Sequence, residues 1–336
     1  MFSQSRAASF VAIALALAFC NVCAAQSKDP VYDDPEKAKE NTDFAIQGEY
    51  VGEFKGESGP EKVGAQVIAL GNGKFECVGY HGGLPGDGWD KSGKKPERHQ
   101  GELKDGAVRF ESKELVGVLK NGEIAVTNKS GEAVGTLKRI ERKSPTLGAK
   151  PPEGAVILFD GKTNDFKEGE KKVTKDGLLM QGINSKSTFK DFSMHIEFRI
   201  PFEPTKRGQG RGNSGLYLQG RYEVQMLDSF GLEGKNNECG GIYSIKDPDV
   251  NMALPPLAWQ TYDVDYTAAK FDDSGKKIAN AKVTVKHNGV VVHNNVELAR
   301  GTTAAPVKEG KESGPIHLQD HGNPVRYRNI WVVEKN

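Results

Sequence analysis

The sequence predicts an all-β protein, a small β barrel or sandwich followed by a larger antiparallel sandwich. Forty glycines and sixteen prolines are spread over 336 residues with no long run of 3.6-residue apolar period, which favours strands and turns over helices. Turn signals such as Asp105-Gly106, Asn121-Gly122 and Asn288-Gly289 separate short β-rich runs, the pattern of hairpins. From Asp191 to Asp228, apolar residues recur at every second position: Phe192, Met194, Ile196, Phe198 and Ile200, then Leu216 and Leu218, then Tyr222, Val224 and Met226. That is the period of strands with one buried face.

The length suits about two domains. With 46 basic against 45 acidic side chains the chain is nearly neutral, so nucleic acid is not an expected partner. Residues 1–25 read as a secretory signal: Arg6, an apolar run from Phe10 to Phe19, then Cys23-Ala24-Ala25. The run is shorter than the roughly 20 residues that span a bilayer, and the residues before Cys20 and Cys23 are too large for a lipoprotein signal. The expected product is an exported, periplasmic or extracellular protein with no membrane insertion once the signal is removed. Cleavage would leave Cys77 and Cys239, expected as unpaired thiols, and no Cys/His spacing suggests structural zinc.

Residues 26–47 are polar and expected to form a mobile lead-in with one short helix-compatible piece at Pro35 to Asn41. In the small all-β domain, 48–143, runs at Val63 to Leu70, Lys74 to Tyr80, Ala107 to Glu111, Glu123 to Thr127 and Glu132 to Ile140 alternate with the turns above. A glycine-rich insertion, 82–90, carries Trp89, read as a plug at the barrel end or, less simply, as a sugar-stacking ring. It lacks the Lys and helix of a phosphate-cradling loop. His81 and His99 have no ligand spacing.

Residues 144–153 form a proline-bearing linker. The second domain, 154–336, opens with a buried strand ending at Asp160-Gly161. Next comes the alternating stretch, whose polar row holds His195, Glu197, Arg199, Tyr217, Gln219, Glu223 and Gln225. Acid, amide, phenol and guanidinium groups in one row suit a sugar-binding floor better than an ordinary solvated face. Later runs are Gln260 to Ala268, Lys282 to Asn288, Val290 to Asn294, Pro315 to Asp320 and Val325 to Glu334. No nucleophile elbow, Rossmann fingerprint, HExxH or Walker loop occurs.

Seven segments in order, Leu158-Phe159-Asp160-Gly161, Phe192 to Arg199, Gly212-Asn213-Ser214-Gly215, Tyr222-Glu223-Val224-Gln225, Cys239-Gly240-Gly241-Ile242-Tyr243, Ile316 to Gly322 and Arg328-Asn329-Ile330-Trp331, resemble the 3-keto-disaccharide hydrolase domain family. The likeness covers roughly 155–336 and departs at Trp259-Gln260, where the family has Trp-Asn. It implies a concanavalin A-like jelly roll acting on glycosides whose C3 hydroxyl has become a ketone.

Such a ketone acidifies the C2 hydrogen; a base removes it, the enolate expels the C1 oxygen, and water adds to the enone. The site then needs a base, a group on the enolate oxygen, either a protein donor or a divalent metal ion, and groups for the hydroxyls. Glu223 and Glu197 are the leading acid/base or metal-binding candidates; carboxylates neutralised by Arg199 and Arg221 on a plain face are the bland alternative. His321, at a strand end, is a candidate proton carrier or metal ligand. Arg199, Asn213, Tyr217, Gln225, Gln319 and Arg328 suit substrate binding, with a salt bridge to Asp320 as the competing role of Arg328. Glu197, Arg199, Glu223, Gln225, Gln319 and His321 are expected on one concave surface. A non-catalytic carbohydrate-binding module is the other class that fits.

Overall fold

The computed structural model describes residues 30–56, 59–89, 91 and 95–335; the signal-like segment 1–25 lies outside them. The first body is an up-and-down barrel of eight antiparallel strands, Gly48–Gly56, Gly59–Gly71, Lys74–His81, Glu97–Lys104, Ala107–Glu111, Leu115–Lys120, Glu123–Asn128 and Ala133–Ile140. Each pairs with the next, and the first closes on the last. The strands Glu97–Lys104, Leu115–Lys120 and Gly48–Gly56 were not among the runs expected from the sequence. The first of them reads Glu-Arg-His-Gln-Gly-Glu-Leu-Lys, and its place in the ladder comes from its neighbours.

The segment before the barrel is not a mobile lead-in over its described part. Two short helices, Pro35–Ala38 and Thr42–Ile46, each start at an Asp34 or Asn41 cap. Tyr32 pairs with Phe202, Ala38 is fully buried, and Phe44 packs on Phe202 with ring centres 5.2 Å apart. These groups close one end of the barrel. Trp89 neither plugs the barrel nor stands free: it meets Tyr80 edge-on at 5.1 Å, beside the apolar cluster of Ile68, Leu84 and Phe230 that joins the two bodies.

The second body is a sandwich of two antiparallel sheets. One has seven strands and is centred on Phe192–Arg199, flanked by Trp259–Thr267 and Arg326–Glu334. The other has four, in the order Ile183–Phe189, Gly314–Leu318, Ser214–Leu218, Tyr222–Met226. Phe192, Ile196 and Phe198 from one sheet and Val224 and Met226 from the other are all fully buried in one shared core. Each such side chain contributes about 2 kcal/mol of burial, and a one-residue slip would send every one to the outer face. Cys77 and Cys239 are both unpaired.

Candidate functional site

Since the apolar rows of both sheets face one core, the polar rows lie on opposite outer faces of the sandwich. The expected single surface is therefore two. Tyr217, Glu223, Gln225, Asn213 and Gln319 belong to the face of the four-stranded sheet; Glu197, Arg199 and Arg328 belong to the other.

On the four-stranded sheet Glu223 sits between Tyr222 and Val224, which point into the core, and directly opposite Tyr217. The Tyr217 hydroxyl donates to Glu223 Oε2 at 2.8 Å, and Gln319 Nε2 donates to the Tyr217 oxygen at 3.1 Å. The other carboxylate oxygen lies over Gly215: a Cβ there would stand 2.1 Å from Glu223 Oε1. Gly215 is thus required by close approach, and not by its backbone angle. Glu223 is only 2 % exposed. Among the described residues no cation pairs with it, so burial prevails over the Tyr217 hydrogen bond and pushes its pKa up to about 7. Burial, and then the charge of Glu223, raise the Tyr217 phenol as well, while burial lowers the His317 imidazole, whose ring lies 5.3 Å from that of Tyr217.

Around this centre Gln209 ties two expected residues together. Its backbone and side-chain oxygens accept from Asn213 Nδ2 at 2.8 and 3.2 Å, and its side-chain oxygen also accepts from Gln225 Nε2 at 3.1 Å. Asn213 Oδ1 and His317 Nδ1 are buried without a protein partner, atoms suited to ligand hydroxyls. Gln209, on the turn Gly208–Gly210, was invisible to strand alternation, and so was the service of Gly215. His317 was legible through its shared row with Gln319. His321 lies beyond the end of its strand, exposed, with no hydrogen bond to Glu223.

The second face is a clamp on the linker. Glu197 is 1 % exposed. Its carboxylate accepts from Arg328 Nε at 2.7 Å, Asn329 Nδ2 at 2.9 Å and the Gly148 backbone N–H at 2.6 Å. Burial alone would raise its pKa, but with His195 also at hand these donors hold it at about 2. Ser144 bonds to Thr261, Thr146 donates to Asp263, and the Ala149 carbonyl accepts from Asn329 and Trp331. Arg328 lies 4.0 Å above the Trp259 ring and pairs with Glu197, not with Asp320; Arg199 donates to the Asp33 carbonyl at 2.7 Å. The Glu197 carboxylate is fully engaged by the protein itself, while Arg199 Nε and His195 Nε2 are buried without a hydrogen-bond partner. Glu197, Arg199 and Arg328 thus lie on the outer face away from Glu223, engaged with the linker, Asp33 and Trp259, and not on one surface with it as expected.

Among the described residues no three His, Cys, Asp or Glu side chains are grouped to hold a metal ion. Around Glu223 the floor offers the Tyr217 phenol, amides and the His317 imidazole with no second carboxylate, too little negative charge to hold a divalent cation tightly.

A jelly-roll-like sandwich with one buried, unpaired carboxylate on a floor of amides and phenol defines the class: a carbohydrate-acting β-sandwich domain. Residues 154–333 match the model of the 3-keto-alpha-glucoside-1,2-lyase-like domain, and the chain belongs to that family. A solved structure from Parabacteroides distasonis, described as a "putative glycosyl hydrolase", is 36 % identical; the match covers 55 % of this chain and 85 % of that one, with a TM-score of 0.50. A second structure with that description from the same organism is 20 % identical over 55 % of this chain and 95 % of that one, with a TM-score of 0.41. No curated protein matches. The family and the first neighbour support a glycoside-hydrolase-like function for the second domain.

Proposed function

We propose that the second domain cleaves the glycosidic bond of 3-keto-glycosides, with Glu223 as the base. The observation that carries this reading is a carboxylate on the edge strand Tyr222–Met226, buried with no cation partner among the described residues and raised by burial to about 7, where a general base works best near neutral pH. Family membership supports the ketone-bearing substrate.

In the proposed reaction Glu223 takes the C2 proton, and the electrons of that C–H bond move into a C2–C3 enolate. Protonating Glu223 frees the Tyr217 O–H from its charged acceptor, so the phenol can turn to the C3 oxygen; Gln319 orients it. The enolate then re-forms the ketone and expels the C1 oxygen, which takes the proton from the Glu223 carboxylic acid, leaving a C1–C2 double bond. Water adds at C1, giving its proton to Glu223, and that proton returns to C2. The sum is hydrolysis; release before water adds is the lyase outcome. Asn213 Oδ1 and His317 Nδ1 would meet sugar hydroxyls. The Gln209 side chain, which covers Asn213 and Gln225, must swing aside to admit substrate.

The test incubates purified protein with a 3-keto-disaccharide and with its unoxidised parent, each with and without chelator. Cleavage of the keto sugar alone supports the reading, and cleavage of neither refutes it. Binding to the parent without cleavage would favour a carbohydrate-binding module. A loss with chelator would add a metal to the site.

We also propose that the chain is exported, on the pattern of residues 1–25. N-terminal sequencing of the mature protein should begin near Ala25 or Gln26, and an intact Met1 would overturn it. No helix of the described residues is long and apolar enough to cross a membrane.

A further inference from the structure

The eight-stranded barrel is half packed and half hollow. At the end closed by Phe44 and Phe202, its inward row carries Tyr50, Val67, Phe75 and Leu119, all buried in one cluster. Towards the other end the inward positions turn small. The register sets Cys77 opposite Ala65's neighbour Val67 and opposite His99, and sets Gly117 opposite Phe110 and Val126. Ala65, Cys77, Gly79 and Gly117 line a cavity of about 760 Å³, walled further by Phe110 and Leu137 and reaching the rim at His81, Glu97 and Ser112. An eight-stranded barrel is just wide enough either to fill itself with side chains or to hold one small ligand. Here small residues leave the second option, at a volume typical of sites for drug-sized molecules.

We propose that this cavity is a binding site for an uncharged apolar molecule that ends in a hydroxyl group, such as a long-chain alcohol. The wall is mainly apolar, and the rim carries Glu97, Glu111 and Glu114 against Lys113 and an Arg98 that pairs with Glu76, so a carboxylate head would meet a surplus of negative charge. Among the polar groups at the mouth, His99 and Glu97 are joined at 3.2 Å. Together they can give one hydrogen bond to a hydroxyl and accept another, so the apolar body lies below with the head at the rim. The barrel lies outside residues 154–333, and the inference does not depend on the chemistry proposed at Glu223.

The test uses the full mature protein and N-phenyl-1-naphthylamine, a neutral dye that brightens in apolar surroundings. Saturable 1:1 binding is expected, with 1-decanol displacing the dye at concentrations at least tenfold lower than decanoate. Cys77→Phe, which fills the hollow, should weaken dye binding at least tenfold, while Cys77→Ser should not. If Cys77→Phe does not fold, Ala65→Leu serves in its place. No saturable binding to the native protein, or binding unchanged in a filled variant of native melting temperature, would overturn the site. Decanoate displacing as well as decanol would overturn the uncharged head.

Discussion

Replacing Glu223 by Gln should make the protein more stable and less active at once. In the unfolded chain this carboxyl ionises at its ordinary 4.5, whereas in the fold it ionises at about 7. Below 4.5 both states are protonated and nothing is lost. As pH rises from there to 7 the unfolded chain gives up its proton first, so the fold is progressively destabilised, and above 7 the full cost remains. The difference corresponds to about 3 kcal/mol at about 1.4 kcal/mol per tenfold change in proton affinity. Gln has the same size, keeps an acceptor for the Tyr217 hydroxyl and cannot ionise. Chemical denaturation of both proteins at pH 5 and pH 8 should show Glu223→Gln gaining stability over the parent between the two, by something on the order of 2–3 kcal/mol. Turnover of a 3-keto substrate should fall by roughly 10²- to 10⁴-fold, the worth of a positioned base. A stability difference that does not change between pH 5 and pH 8 would refute the buried, unpaired state of Glu223. Near-normal turnover would refute its role as base.

Three further outcomes follow from the same geometry. Tyr217→Phe removes the one hydrogen bond that lowers the Glu223 pKa, so the acid limb of the kcat/KM profile, expected near 7, should move to higher pH; an unmoved limb would mean that Glu223 is not the group being titrated. Gly215→Ala places a methyl 2.1 Å from Glu223 Oε1 and must displace the carboxylate, so turnover should drop at least about tenfold in a protein that still melts cooperatively, whereas unchanged kinetics would contradict that close approach. Glu197→Gln weakens the hydrogen bonds from Arg328, Asn329 and Gly148 and, with Arg328 partly solvated, should cost about 2 kcal/mol with turnover per folded molecule within a few-fold of the parent. The stability that Glu197 supplies is present above about 4.5 and is lost as pH falls towards 2, which denaturation at pH 3 and pH 6 would measure, and a collapse of turnover in folded Glu197→Gln would restore it as a site candidate.

The sequence by itself determined which side of the strands between Phe192 and Met226 faces the core, though the strand Ile183–Phe189 was not among its expected runs. Phe192, Ile196, Phe198, Val224 and Met226 alternate with polar residues, and burial of one face leaves no other register. The family motifs supplied the jelly-roll class and the glycoside-acting domain. Strands such as Glu97–Lys104 escaped because hydrogen bonds to neighbours, which carry no local apolar signature, hold them in the barrel. What only the tertiary structure decided is which polar rows share a surface. Glu197 and Glu223 look alike in the sequence, each opposite a core row, but the two sheets pack core to core and turn their polar rows away from one another. The linker then covers the Glu197 row and satisfies its charge through Gly148, while Glu223, over Gly215, is left buried without a cation. Its raised pKa is a property of that desolvation, and desolvation depends on contacts made by residues far apart in the chain.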